Sequence, residues 1–108
     1  MKLILAIVNN DDSAHASSAL TEAGFSVTRL STTGGFLMVG NTTFLIGTED
    51  SETQKAIDIL KSHCNTRMQK SPSTAAYGRG LNHMSLQEDI KVGGATIFVL
   101  DVEHMEKI

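Results

Sequence analysis

The chain begins with a run that is apolar at every position from residue 3 to residue 8, so both faces of an extended segment would be hydrophobic. Such a run is typical of a strand covered on both sides, and it predicts that residues 1–8 form the first strand. A helix is expected next, because residues 9–13 offer several N-cap side chains and small apolar residues then recur at helical spacing as far as Ala23. Gly24 is placed to end this helix in the left-handed conformation.

Two more extended segments are predicted before a second helix. Residues 25–31 have the composition of a strand, and residues 36–39 and 42–46 also suit an extended chain. The interruption at residues 40–41 suits a turn or a bulge, and Gly47 closes the strand.

The second helix is indicated by a cap and by an apolar stripe. Ser51 and Gln54 have the spacing of a capping box, in which each side chain satisfies the other residue's free backbone N–H. Ile57, Leu60 and Cys64 would then face the core. These features predict three to four turns of helix ending near Cys64.

The periodic pattern fails from residue 66 to about residue 88, a segment that contains Pro72 and several glycine, serine and asparagine residues. A loop of this length in a small domain is more often functional or mobile than merely connecting. After it, residue 92, the Gly93-Gly94 pair and residues 95–102 predict a last strand, followed by a short tail.

The order of these elements is strand, helix, strand, strand, helix, strand, which predicts a ferredoxin-like α+β subunit. Residues 1–108 would form one domain, with residues 66–88 as a long flexible loop within it. The same pattern leaves one alternative open, a mixed sheet in which residues 36–46 form a separate hairpin.

Composition and charge exclude several classes of protein. The 108 residues are 41% hydrophobic and 19% charged, as in a single globular domain. A net charge of −3 disfavours a nucleic acid polymer as partner, since that role needs a basic face. No apolar run is long enough to span a membrane, residues 1–8 lack the parts of a signal peptide, and a single cysteine fits a reducing compartment. We therefore expect a cytoplasmic protein that does not bind a membrane.

Catalytic and metal sites are not indicated by the sequence. His63 precedes Cys64, but adjacent helix positions do not face each other, and Cys64 lies on the apolar stripe, so a buried structural thiol is expected. Asp11 and Asp12 stand where a helix start favours negative charge. The four histidines have no partners at metal-ligand spacing. The chain is therefore predicted to be no enzyme, with no catalytic residue, no metal and no cofactor.

Two glycine pairs are the unusual features of the sequence. Gly34-Gly35 is followed by Phe36, and paired glycines let a backbone approach a ligand closely and turn its N–H groups toward an anion. An ordinary glycine hairpin explains this segment equally well. Gly93-Gly94 offers a second point of close approach, although a β-bulge is the favoured explanation there.

Three segments of the chain resemble the cyclic di-AMP receptors of the PII-like signalling superfamily. They are Met-Lys-Leu-Ile at the start, T-T-G-G-F-L-x-x-G-N-T-T-F-L-I-G over residues 32–47, and V-G-G-A-T-I-F-V-L over residues 92–100. The resemblance covers nearly the whole chain apart from the loop, and two long motifs in the right order make it specific.

The resemblance implies a cytoplasmic homotrimer that holds one cyclic di-AMP in each of three clefts between neighbouring subunits. Phe36 would pack near an adenine, and backbone N–H groups with Asn and Thr side chains would hold the phosphates and base edges. The loop would respond to ligand and meet a protein partner. The ligand-binding residues implied by matching motif positions are Thr28, Gly35, Phe36, Leu37, Asn41, Gly47, Gly93, Gly94 and Phe98.

The chain departs from the family's pattern at several positions. Ser26 and Met38 stand where family members have arginine, and the loop lacks the family's Pro- and Tyr-rich composition. Loss of a cation next to a dianionic ligand removes a charge-assisted hydrogen bond. A second hypothesis follows, in which the chain is a trimeric paralogue that has lost cyclic di-AMP and senses another nucleotide or serves in protein interaction.

Overall fold

The computed structural model describes residues 1–30, 40–70 and 89–108, and for residues 69, 70 and 89–92 it describes the backbone alone. The helices are α1 (Asn10–Glu22) and α2 (Thr53–His63), with a 3₁₀ turn at Asp50–Glu52 before α2. The strands are β1 (Lys2–Asn9), β2 (Ser26–Leu30), β3 (Asn41–Thr48), β4 (Arg67–Lys70), β5 (Asp89–Val92) and β6 (Ala95–Asp101).

Four strands form an antiparallel sheet in the order β2-β3-β1-β6. The two helices connect strands that are not neighbours, so this is the predicted ferredoxin-like α+β arrangement. The separate hairpin considered as an alternative is ruled out for the described part of the segment, because β3 pairs along its length with β1.

Both helices pack on one face of this sheet, and the core lies between the layers. Alternate residues of β1 and β3 point into it, since successive side chains of a strand lie on opposite faces. α1 contributes Ala16 and Leu20, and α2 contributes Ala56, Leu60 and Cys64. The buried core residues are Ile4, Ala6, Val8, Ala16, Leu20, Phe25, Phe44, Ile46, Ala56, Leu60 and Cys64.

The other face of the sheet is covered by no element among the described residues. Leu3, Leu5 and Ile7 of β1 lie on this open face and are only half-buried. The sequence predicted a first strand covered on both sides, and the described residues cover only one side. The apolar residues of this open face therefore keep surface that the described part of the subunit does not bury.

The two helices begin differently from one another. α1 is capped as expected, because the side chain of Asn9 accepts a hydrogen bond from the backbone N–H of Asp11 at 2.8 Å. The capping box predicted for α2 does not form, since Ser51 lies within the 3₁₀ turn and Gln54 donates instead to Asp58 at 2.9 Å. The chain thus enters α2 through an extra turn.

The predicted loop begins with a strand. β4 pairs antiparallel with β5, and this two-stranded ribbon lies at the base of residues 71–88, which are outside the described residues. Sequence patterning missed it because Arg67–Lys70 has no apolar alternation that would mark a core-facing strand. No helix in the described part of the chain is long and apolar enough to cross a membrane.

Candidate ligand-binding site

Three of the predicted ligand-binding residues meet at one end of the sheet. Asn41 pairs with Asn9 at the start of β3, while Gly93 and Gly94 immediately precede β6, whose first residue, Ala95, pairs with the neighbouring position of β1. They border a cavity of about 290 Å³, which we call the glycine-pair cavity. Its lining residues are Ile7, Asn41, Thr66, Gly93, Gly94, Ala95 and Thr96.

The glycine pair connects β5 to β6 and belongs to neither strand, so the expected β-bulge is wrong. Gly93 and Gly94 have φ angles of +82° and +87°, in the region that side chains of L-residues rarely adopt. A Cβ on Gly93 would lie 2.5 Å from the backbone oxygen of Asn65, and one on Gly94 would lie 2.5 Å from Oγ1 of Thr66. Only glycine fits, because the pair packs directly on the chain that leads into β4.

An ion pair ties that same chain to the first turn of α1. Nη2 of Arg67 lies 3.0 Å from Oδ1 of Asp12, and Nη1 donates to Oδ2 at 3.4 Å. The hydrogen bond that Arg67 donates to Asp12 raises the pKa of Arg67 above its ordinary value. Nη1 also donates to the backbone oxygen of Asn65 at 3.0 Å, so the guanidinium links the first turn of α1 to the chain segment against which the glycine pair packs.

A second group of predicted residues lies at the opposite end of the sheet. Gly47 pairs with Ser26, and both border another cavity of about 240 Å³, which we call the Ser26 cavity. Thr28 is exposed on the same face of β2, two residues further along. The charged side chains that line the Ser26 cavity are both carboxylates, those of Glu49 and Glu52. Met1 also borders the cavity, and its N-terminal ammonium group is paired with Asp50 at 2.8 Å, so the arginine of the family pattern has no counterpart among the side chains described there.

Phe98 lies on the open face, in one row of cross-strand pairs with Thr28. The row runs from Thr28 through Leu45 and Leu5 to Phe98. Three strand spacings therefore separate the two ends of the row, or about 14 Å. Phe98 is 51% exposed, so its ring is available to a ligand or to another chain.

The two groups do not form a single cleft within one subunit. Asn41 and Gly47 lie near the two ends of β3. They are six residues apart, which in a strand is a distance of about 20 Å. Gly35, Phe36 and Leu37 lie outside the described residues, as does Met38. Of the remaining predicted residues, Asn41 and the glycine pair border the glycine-pair cavity, whereas Thr28 and Gly47 lie on the Ser26 side of the sheet. Phe98 lies on the open face at the other edge of the sheet.

The two arginines among the described residues, Arg29 and Arg67, both make contacts within the subunit. Arg29 pairs with Phe44 on the helix-covered face, and its Nη2 donates to Oγ of Ser13 at 3.5 Å. Arg67 lies beside Gly93 but is paired with Asp12. The structure brings an arginine close to the glycine pair, with its charge balanced by a carboxylate.

The cysteine is structural, as its place on the apolar stripe predicted. Cys64 is 3% exposed, whereas His63 is exposed, so the two side chains lie in different environments. Burial, and next the nearby Asp12 carboxylate, raises the pKa of Cys64 to about 11, which leaves almost no thiolate at neutral pH. Among the described residues, no three His, Cys, Asp or Glu side chains are grouped to hold a metal ion.

Sequence reasoning missed three residues around the glycine-pair cavity, namely Thr66 and Thr96, which line it, and Asp12, which pairs with Arg67 beside it. Arg67 was considered only as a substitute cation for the ligand. Asp12 was explained as a helix-start carboxylate, and Arg67 was assigned to a loop. Their pairing across 55 positions of sequence leaves no local signal, whereas the glycine pair did mark a close approach.

Fold and geometry together define a small α+β protein with a polar, glycine-lined pocket and a two-stranded ribbon beside it. A sequence model of the family described as cyclic-di-AMP receptor matches residues 1–108, and the chain belongs to this family. It is also similar to the crystal structure of a functionally unknown protein from Pediococcus pentosaceus ATCC 25745, at 36% sequence identity and a TM-score of 0.75. That alignment covers 99% of this chain and 96% of the other. The family's role is that of a receptor, which binds a ligand.

Proposed function

We propose that the protein is a non-enzymatic cytoplasmic receptor that binds cyclic di-AMP in clefts between the subunits of a homotrimer and transmits binding through residues 66–88. The match to the receptor family over residues 1–108 supports the ligand. The observation that carries the proposal is the division of the site between the two ends of the sheet.

A divided site is completed by contact between subunits. Asn41 and the glycine pair lie at one end, and Ser26 and Gly47 at the other, so a ligand that touches both groups draws them from two copies of the chain. Such a contact joins unlike surfaces, and heterologous contacts of this kind form a ring when the rotation closes. A trimer is the ring that the family resemblance implies.

The open face of the sheet supports assembly independently. Phe98 and Leu100 are 51% and 47% exposed on this face, next to the half-buried Leu3 and Leu5. Burying apolar surface stabilises association by roughly 25 cal/mol per Å² before the costs of binding are counted. Packing of open faces around a common axis would bury these residues.

The β4–β5 ribbon supports a route for the signal. The glycine pair follows β5 directly and packs on Thr66, which precedes β4. Both strands of the ribbon therefore begin or end at the glycine-pair cavity. A ligand that contacts Gly93 and Gly94 would act on the base of the segment that is proposed to meet a protein partner.

Calorimetric titration with cyclic di-AMP tests the ligand, with ATP and cyclic di-GMP as controls. For one site at a hundred times its Kd, the free energy of unfolding rises by about 2.7 kcal/mol, which a thermal melt detects. Light scattering on the same samples measures the mass of the assembly. A monomeric protein, or the absence of any response at high micromolar ligand, would refute the proposal.

A second candidate is favoured by the acidic lining of the Ser26 cavity. Glu49 and Glu52 place negative charge where a cation would stabilise a dianionic ligand, and Ser26 carries no charge. A trimeric paralogue that senses another nucleotide, or that serves in protein interaction, would fit this charge. Under this alternative the titration shows a trimer that responds to a control nucleotide, or to none, and not to cyclic di-AMP.

A further inference from the structure

We infer that Asp12 and Arg67 act as a latch that sets the position of the Gly93-Gly94 pair and thereby the affinity of the glycine-pair cavity for its ligand. The inference rests on the proposed function for the identity of that ligand. Neither side chain lines the cavity, so both would be positioning residues and not ligand contacts.

The latch is an ion pair made by two hydrogen bonds, and its carboxylate is held in place by burial in the fold. The Asp12 side chain is 10% exposed and sits in the first turn of α1, whereas the Arg67 side chain is 46% exposed at the start of β4. The two hydrogen bonds, at 3.0 and 3.4 Å, hold the planar guanidinium against both carboxylate oxygens. An almost buried carboxylate is destabilising without a cation, so the burial of Asp12 favours the arrangement in which Arg67 is paired with it.

The glycine pair rests on the chain segment that this pair holds in place. The backbone oxygen of Asn65, Nη1 of Arg67 and Oγ1 of Thr66 would each lie 2.5 Å from a Cβ added to Gly93 or Gly94. These distances mean that the glycine pair lies against residues 65–67 with no space for a methyl group between them. Displacement of Arg67 is therefore expected to shift the glycine pair, and with it the cavity wall next to Asn41.

Three charge variants separate a latch from a direct ligand contact. Asp12→Asn and Arg67→Gln each break the two-point pair, and Lys2→Gln removes a cation of the Lys2–Asp101 surface pair at the far end of β1 as a matched control. Coupling through positioning residues is typically 0.5–2 kcal/mol, so Asp12→Asn and Arg67→Gln are each expected to lower cyclic di-AMP affinity by roughly two- to thirtyfold. Lys2→Gln is expected to leave amide exchange at the glycine pair unchanged, because Lys2 lies at the opposite end of β1 from the glycine-pair cavity.

A double variant and a ligand-free measurement complete the test. If the two residues act as one latch, Asp12→Asn with Arg67→Gln weakens binding no more than either change alone. Amide hydrogen exchange at Gly94 and Ala95 in the ligand-free protein is expected to quicken in both single variants and not in Lys2→Gln. Arg67→Lys, which keeps the charge but not the two-point geometry, is expected to fall between the wild type and Arg67→Gln, and it serves if Arg67→Gln does not fold.

Two results would overturn the latch. One is loss of affinity in Arg67→Gln while Asp12→Asn binds as well as the wild type, which means that the arginine contacts the ligand itself. The other is unchanged amide exchange in both single variants. If the wild-type protein binds no cyclic di-AMP, the proposed function fails, and the exchange measurement alone still decides the latch.

Discussion

Replacing Gly93 by alanine adds a methyl group where the chain has neither the backbone conformation nor the space for one. The φ angle of +82° costs an alanine about 1–2 kcal/mol. The new Cβ would also lie 2.5 Å from the backbone oxygen of Asn65 and from Nη1 of Arg67. Overpacking of this kind typically costs about 1–3 kcal/mol more, and the backbone oxygen cannot rotate away.

Gly24→Ala is the matched control for the strain alone. Gly24 has a φ of +95°, and nothing lies within 4 Å of the position of its Cβ. Gly93→Ala is therefore expected to lower the free energy of unfolding by about 1–3 kcal/mol more than Gly24→Ala does. In a domain of this size each kcal/mol lowers Tm by roughly 4–8 °C.

Urea unfolding of both variants at equal subunit concentration measures this difference, since assembly makes stability depend on concentration. Gly93→Ala is also expected to weaken cyclic di-AMP binding, because Gly93 borders the glycine-pair cavity. Equal destabilisation by the two changes would refute the close packing of the glycine pair on Asn65 and Arg67.

Four further predictions address the site and the thiol. Ser26→Arg is expected to tighten cyclic di-AMP binding by roughly ten- to a hundredfold in a titration, because it restores a charge-assisted hydrogen bond; weaker binding would place the ligand elsewhere. Asn41→Ala is expected to weaken binding while light scattering shows the assembly intact, and unchanged affinity would remove Asn41 from the site. Cys64→Ser should leave binding unaltered, and loss of binding would contradict a structural thiol. Burial raises the pKa of Cys64 to about 11 from 9.0, so the stability that the neutral thiol provides is full below pH 9 and is lost as the pH rises toward 11. Urea unfolding of the wild type and of Cys64→Ser across this range measures the effect. An equal dependence of the free energy of unfolding on pH in the two proteins would contradict it.

Local sequence patterns were enough to predict most of the fold. The apolar run in residues 3–8, the alanine-rich stripe ending at Ala23 and the Ile57–Leu60–Cys64 stripe each specify an element through the period of its buried positions. The boundary details were less predictable, as the missing capping box at Ser51 illustrates. Thr53 there donates through Oγ1 to the backbone oxygen of Glu49 at 3.1 Å, an interaction that propensity does not foresee.

Residues of the candidate site could be predicted only where the residue type itself indicates an unusual backbone conformation, as glycine does. Gly93 and Gly94 could be singled out, because paired glycines before an apolar strand indicate either a close approach or a bulge. Thr66 and Thr96 carry no such mark, since an exposed threonine in a loop or strand is common. They become part of a pocket only when β6 is set beside β1 and the chain before β4 is folded against it.

The sequence by itself determined the number and order of the main elements, the burial of Cys64 and the family to which the chain belongs, because periodicity and contiguous motifs are local properties. The tertiary structure decided that the glycine pair packs against residues 65–67, that Asp12 pairs with Arg67, and that Asn41 and Gly47 lie near opposite ends of one strand. These features depend on which segments become neighbours, and a one-dimensional pattern does not contain that information.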